Sequence, residues 1–358
     1  MRYQIILFMI DNKIIIGISQ GDVNGIGLEV ILKTLMEPAI SEICTPILFS
    51  SQKTVSYYRK TLGLEEFNFN PIREFGQINH KKSNVFICYE EEINIEMGKS
   101  TEVGGKYALL SLEKATQALI NNNIDALVTA PINKSNIQSE EFKFIGHTEY
   151  LGSKLNGKPL MLLCNNNGLR VALATGHIPL KDVASAISIE NISEKINQLH
   201  LSLIKDFGIR KPKIAVLALN PHAGDNGAIG NEEKEIIIPA IEKTKINGLI
   251  FGPYSADGFF GNDTYKKFDG ILAMYHDQGL IPFKSLAFIE GVNFTAGLNA
   301  VRTSPDHGTA YDIAGKNIAN EQSFKQAIYT AIDVYKNRNL FKEISANPLA
   351  ASTIRKER

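Results

Sequence analysis

Short apolar, β-branched runs alternate along this chain with longer segments of helical periodicity. That alternation confines it to βαβ units around a mostly parallel sheet, an α/β fold. Residues 14–18 read as a first buried strand and 25–35 as the helix after its turn, with a second strand at 46–49. Leu109, Leu112, Ala115 and Leu119 fall at helical spacing within 107–120, and the asparagines at 121–123 lead into a strand at 126–129. Segments 159–164 and 169–175 flank Asn165-Asn166-Asn167-Gly168, a hairpin loop with glycine where positive φ is easiest. The sheet is therefore expected to be mixed. A last helix is expected over 322–335 and a charged tail over 352–358, while the polar stretch 68–94 shows no clear pattern.

Four of the seven histidines, His147, His177, His222 and His276, sit just past an apolar β-type run. In an open α/β sheet, residues beyond the carboxyl ends of strands converge on the ligand crevice. A lone strand-end histidine is usually structural, but His177, His222 and His276 together suit a divalent metal site. Three imidazoles without thiolates leave coordination positions open, as catalytic sites do. His147, followed by Thr148 and Glu149, suits a substrate group better than a fourth ligand. Lys284, Asn293 and Arg302 recur at intervals of nine among Gly, Phe, Leu and Ala. Two cations and an amide in such surroundings fit a substrate with a phosphate and a carboxylate, since Arg grips such anions bidentately. Asp257, Asp277 and Lys284 are the candidates for proton transfer, and Asp257 equally suits a turn. Gly21 to Gly27 reads GxxxGxG, neither the dinucleotide fingerprint nor a P-loop; it is an anion loop at a helix start or a tight turn.

Bulk composition excludes several classes of partner. The 38 basic residues balance 38 acidic ones, so no basic field argues for nucleic acid or an anionic membrane. Three separated cysteines, Cys44, Cys88 and Cys164, give no disulfide framework or thiolate site, which fits a reducing cytoplasm. The apolar run at 5–10 is too short for a membrane helix and is broken by Asp11, Asn12 and Lys13, so it reads as a leading segment or strand extension.

Several stretches, in this order, carry a resemblance: Gly21 to Gly27, Val128-Thr129-Ala130-Pro131-Ile132-Asn133-Lys134, Gly146-His147-Thr148-Glu149, and Ala172 to His177. They continue through Asn220-Pro221-His222-Ala223-Gly224, Tyr275-His276-Asp277-Gln278-Gly279, Gly291-Val292-Asn293, and Arg302-Thr303-Ser304 to Thr309. From about Lys13 to Tyr335 the chain resembles the 4-hydroxythreonine-4-phosphate dehydrogenase family of pyridoxal phosphate biosynthesis. The resemblance implies two α/β/α domains flanking a cleft, similar to isocitrate and isopropylmalate dehydrogenases. Their expected extents are 12–132 with 298–350, and 133–297. It implies one divalent metal per subunit (zinc, cobalt or magnesium) on His177, His222 and His276. It also implies substrate contacts from His147, Thr148, Lys284, Asn293 and Arg302. The segment from His307 to Lys316 looks like the adenosine-binding loop of those relatives, which gives Gly308, Ala310 and Asp312 to NAD or NADP. A homodimer with its active site at the subunit interface is implied as well. The expected reaction is oxidation of 4-phosphohydroxy-L-threonine and decarboxylation to 3-amino-2-oxopropyl phosphate. The rival is a D-threonate or D-erythronate 4-phosphate dehydrogenase. Val23, Asn24 and Leu28 depart from the family's usual Pro, Ala and Pro in the first loop.

Overall fold

The structure, a computed structural model, describes residues 13–139, 142–144, 146–245 and 248–347. The leading segment before Lys13 and the tail at 352–358 lie outside the described residues. The strands are β1 (Ile14–Ser19), β2 (Cys44–Ser50), β3 (Phe69–Ile72), β4 (Ser83–Ile87), β5 (Ala126–Thr129) and β6 (Gly157–Cys164). They continue as β7 (Arg170–Leu173), β8 (Lys213–Leu217), β9 (Leu249–Tyr254), β10 (Gly270–Ala273), β11 (Val292–Leu298) and β12 (Val301–Pro305). All join one sheet in the order β3-β4-β2-β1-β5-β12-β11-β6-β7-β10-β8-β9.

The expected α/β fold with a mixed sheet is found. β12 runs parallel to β5, while β11 is antiparallel to β12 and to β6, and β6 is antiparallel to β7. The sheet thus consists of two parallel blocks of opposite sense, joined where β11 and β6 reverse it. The hairpin was legible because its asparagine loop is local; the second reversal, at β11 and β12, carries no comparable turn signal.

Helices sandwich the sheet, as its alternately directed side chains require. On one face α1 (Gly27–Leu35), α4 (Ile189–Lys205) and α6 (Gln322–Ala346) pack together over Ile16, Ile18, Phe294 and Val301, all buried. On the other face α2 (Glu102–Ile120) and α3 (His147–Lys154) cover one block, and α5 (His276–Ala287) covers the other. α2 caps with Thr101, whose hydroxyl accepts from Gly104 N, and α4 with Ser188 in the same manner. Between α3 and α5 the face of β5, β12, β11 and β6 is left without a helix, and that gap becomes the pocket.

Three expectations about elements need correction. His147 does not follow a strand; it opens α3. The polar stretch 68–94 contains β3 and β4, whose half-exposed edge positions blur the strand alternation. The last helix runs on to Ala346, past the expected end, because Leu340 and Ile344 are exposed and break the apolar period.

α6 is tied to α4 by a buried ion pair. Arg338 Nε donates to Asp206 Oδ1 at 2.6 Å and Arg338 Nη1 to the carbonyl of Leu298 at 3.0 Å. Both side chains are shielded, so Asp206→Ala strands a buried guanidinium and is expected to cost about 3–5 kcal/mol in urea unfolding. A loss below about 1 kcal/mol would show the pair to be screened as at a surface.

Candidate active site

The pocket, about 300 Å³, sits over the helix-free face where the sheet reverses. Register explains its floor. Asn293 pairs with Ser304 on one side and Leu163 on the other, and Thr295 pairs with Met161. Residues two apart on a strand share a face, so Thr129, Arg302, Ser304, Asn293, Met161 and Leu163 look the same way. Thr303, the intervening residue, points oppositely and donates to Ala327 O of α6. The walls come from the helix ends. Gly146, His147, Thr148 and Glu149 open α3, and His276, Leu280 and Lys284 form one stripe of α5 at fourfold spacing. His177 follows β7, Lys134 follows β5, and Asp306, His307 and Gly308 follow β12.

Arg302 dominates the electrostatics. It is 2 % exposed, yet its guanidinium meets only hydroxyls: Nε and Nη2 donate to Thr129 Oγ1 (3.1 and 2.6 Å), and Nη1 to Thr295 Oγ1 (3.0 Å). Among the described residues no carboxylate forms an ion pair with it; Glu149 opposes the penalty from farther off. Burial therefore drives its pKa down from the usual arginine value. An unpaired buried charge is costly unless something neutralises it. Three polar atoms of pocket-lining residues are likewise sealed and unpartnered: His147 Nε2, Asn293 Oδ1 and His307 Nε2. These groups together suit an anionic ligand with polar substituents.

Secondary charges are graded around it. Lys284 Nζ lies 3.6 Å from Asp306 Oδ1; burial raises the Asp306 carboxyl and Lys284 opposes that rise. Burial holds His147 well below the usual histidine value, with Arg302 and Lys134 adding to the effect. His307 is lowered by burial too, and its Nδ1 lies 3.1 Å from Gly308 O.

Two of the three metal candidates meet. The His177 and His276 rings are 5.3 Å apart, and His276 Nδ1 is 2.7 Å from Asp277 Oδ1, an orienting contact of the kind that fixes a ligand tautomer. His222 does not join them. It stands exposed in a run, His222 to Asn226, whose φ values lie between 41° and 79°. Glu233 clamps that run by accepting from the backbone of Leu219 and Asn220. Among the described residues no three His, Cys, Asp or Glu side chains gather closely enough to hold a metal ion, so the three-imidazole set does not fit as arranged.

The other expected residues divide similarly. His147, Thr148, Lys284, Asn293, Arg302 and Gly308 all border the pocket, whereas Asp257, Asp277, Ala310 and Asp312 do not. Asp257 is held by Ser255 on an exposed helix start, and this hydrogen bond depresses its pKa. Sequence reasoning missed Thr129, Lys134, Asp306 and His307 as pocket residues. All four lay inside matching stretches, but the Thr129–Arg302 hydrogen bond joins distant parts of the chain and has no local signature.

Fold and pocket define an α/β protein with a buried arginine on the floor of a pocket at the reversal of its sheet. The comparisons narrow this further: the family described as pyridoxal phosphate biosynthetic protein PdxA matches residues 42–331, and the chain belongs to that family. A 4-hydroxythreonine-4-phosphate dehydrogenase of Bacteroides thetaiotaomicron is 53% identical over 95% of this chain and 94% of its own length. A protein of Cutibacterium acnes bearing the name of a D-threonate 4-phosphate dehydrogenase is 36% identical over 89% of this chain and 93% of its own length. The crystal structure of the 4-hydroxythreonine-4-phosphate dehydrogenase of Klebsiella pneumoniae superimposes with a TM-score of 0.76 at 31% identity, covering 90% of this chain and 98% of the other.

Two expectations follow. Arg302→Met is expected to abolish stabilisation by inorganic phosphate in thermal melts while leaving the phosphate-free Tm unchanged or higher; a lower phosphate-free Tm would make the guanidinium structural. The lowered His147, His177 and His307 set a pH dependence. Unfolded histidines take up protons near pH 6.5 and the folded ones do not, so the unfolded chain binds more protons and stability falls as pH drops below about 6.5. Urea unfolding between pH 7 and 5 is expected to show this decline, and His147→Gln to shallow it.

Proposed function

We propose that this protein oxidises 4-phosphohydroxy-L-threonine with NAD or NADP and releases CO₂ to give 3-amino-2-oxopropyl phosphate, a step toward pyridoxal 5'-phosphate. The observation that carries the reading is Arg302, a buried cation on the floor of the pocket that has no carboxylate partner among the described residues. In this reading Arg302, Lys284, Asn293, His147 and Thr148 hold the phosphate and carboxylate and orient the reacting carbon. Lys284 lines the pocket beside Asp306 whereas Asp257 and Asp277 do not; as the free amine it would take the hydroxyl proton, and as the ammonium it would hold the anion. Asp257 and Asp277, both exposed, would contribute only across an interface.

A nicotinamide nucleotide, when bound, supplies the hydride acceptor. Gly308, Ala310 and Asp312 would hold it; Gly308 rims the pocket, and a Cβ there would meet nothing within 4 Å. A divalent ion such as zinc, cobalt or magnesium would call for His177, His222 and His276, of which His177 and His276 stand together as arranged and His222 does not. Exposed Ile281, Leu286, Phe288 and Ile289 on and just after α5, beside the pocket, support a homodimer that covers them. β12 returning beside β5 supports the two domains at 12–132 with 298–350 and at 133–297. No helix among the described residues is long and apolar enough to cross a membrane, and the three free cysteines support a cytoplasmic setting.

The test is NAD(P)⁺ reduction by purified protein, chelator-stripped and then given Zn²⁺, Co²⁺ or Mg²⁺, on three substrates. These are 4-phosphohydroxy-L-threonine, D-threonate 4-phosphate and D-erythronate 4-phosphate. The proposal expects kcat/KM at least about tenfold higher for the amino acid, ~1.4 kcal/mol. Preference for either sugar acid would move the protein to the rival activity, and no reduction with any would sink the dehydrogenase reading. Metal binding by calorimetry is expected to vanish in His276→Ala.

A further inference from the structure

We propose that Asp22 and Tyr311 form a clasp that positions the segment 308–312 for the nicotinamide nucleotide. The inference rests on the dehydrogenase reading and gives a task to two residues that reading leaves idle. Asp22 lies in the turn after β1 and is fully buried. Its Oδ2 accepts from the Tyr311 hydroxyl at 2.6 Å and from Asn136 Nδ2 at 2.7 Å, and its Oδ1 accepts from Asn24 N at 2.8 Å. The Tyr311 hydroxyl in turn accepts from Asn133 Nδ2 at 3.1 Å. One carboxylate thus draws the segment after β12, the segment after β5 and the first glycine-rich loop to a single point.

Backbone packing shows how tightly the segment is seated. Ile26 N donates to Thr309 O at 2.9 Å. A Cβ at Gly25 would come within 2.7 Å of Thr309 O, and one at Gly98 within 2.9 Å of Tyr311 O. The side chain of Tyr311 is therefore turned inward while Gly308, on one side, borders the pocket and Asp312, on the other, faces solvent. Asp22 does not line the pocket. It acts through Tyr311, as a positioning residue, and charge-assisted hydrogen bonding to a buried carboxylate makes the anchor stiff. Of the first loop's glycines, Gly25 serves this close approach, while Gly21 and Gly27 lie against Pro131 O and Gln20 O.

Tyr311→Phe keeps the ring and removes the anchor, and Asp22→Asn weakens it from the other side. Calorimetry with NAD⁺ and NADP⁺, and with inorganic phosphate as the pocket probe, separates the two sites. Tyr311→Phe is expected to raise the Kd of the preferred nucleotide tenfold or more and to leave the phosphate Kd within twofold. Its KM for the nucleotide should rise while kcat at saturation stays within twofold, and amide exchange should quicken across 308–313. If Asp22→Asn does not fold, the Phe variant decides alone. Nucleotide affinity unchanged in Tyr311→Phe, or nucleotide and phosphate weakened equally, overturns the clasp. A wild-type protein that binds neither nucleotide removes the cofactor reading and this role together.

Discussion

A guanidinium buried without an ion-pair partner among the described residues is the constraint around which this molecule is arranged. Arg302 reaches the pocket from β12 and spends its donors on Thr129 and Thr295. Hydroxyls satisfy hydrogen bonds but do not cancel charge, so this guanidinium is suited to pair with an anionic ligand. The sheet reversal makes this possible. It puts β5, β12, β11 and β6 side by side with Thr129, Arg302, Ser304 and Asn293 on one face, where α3 and α5 leave that face uncovered. Fixed donors of this kind favour an anionic ligand without reorganisation, as preorganised electrostatic sites do.

Much of the architecture was legible because it rests on local periodicity. Ile14, Ile16 and Ile18 announce β1, the Asn165–Gly168 loop announces the β6–β7 hairpin, and Leu109, Leu112 and Leu119 mark α2. The edges were not legible: β3 is half exposed, so nothing forces its residues to alternate cleanly. His147 misled for a related reason. Its preceding aromatic and small residues resemble a strand end, but Phe142 and Phe144 pack against Tyr150 in the α2–α3 cluster.

The site divides along the same line. Lys284, Asn293 and Arg302 stood out through charge in apolar surroundings, and all three border the pocket. His177 and His276 meet because β7 and β10 are parallel neighbours. His222 follows β8, one strand farther along, and its left-handed loop carries it outward, a conformation that costs non-glycine residues about 1–2 kcal/mol each. No spacing in the sequence reports such a twist. Nor does any report that Asp306 and His307 turn back into the cavity, since that depends on Asp306 N donating to Ser323 Oγ and on the seating of the loop beyond them.

The most direct measurement is a crystal structure of the protein soaked with 4-phosphohydroxy-L-threonine. The account predicts an anionic group of the ligand about 3 Å from the Arg302 guanidinium, with His147 and Asn293 gaining partners at the atoms now bare. A ligand bound elsewhere, with Arg302 still facing only Thr129 and Thr295, would contradict it.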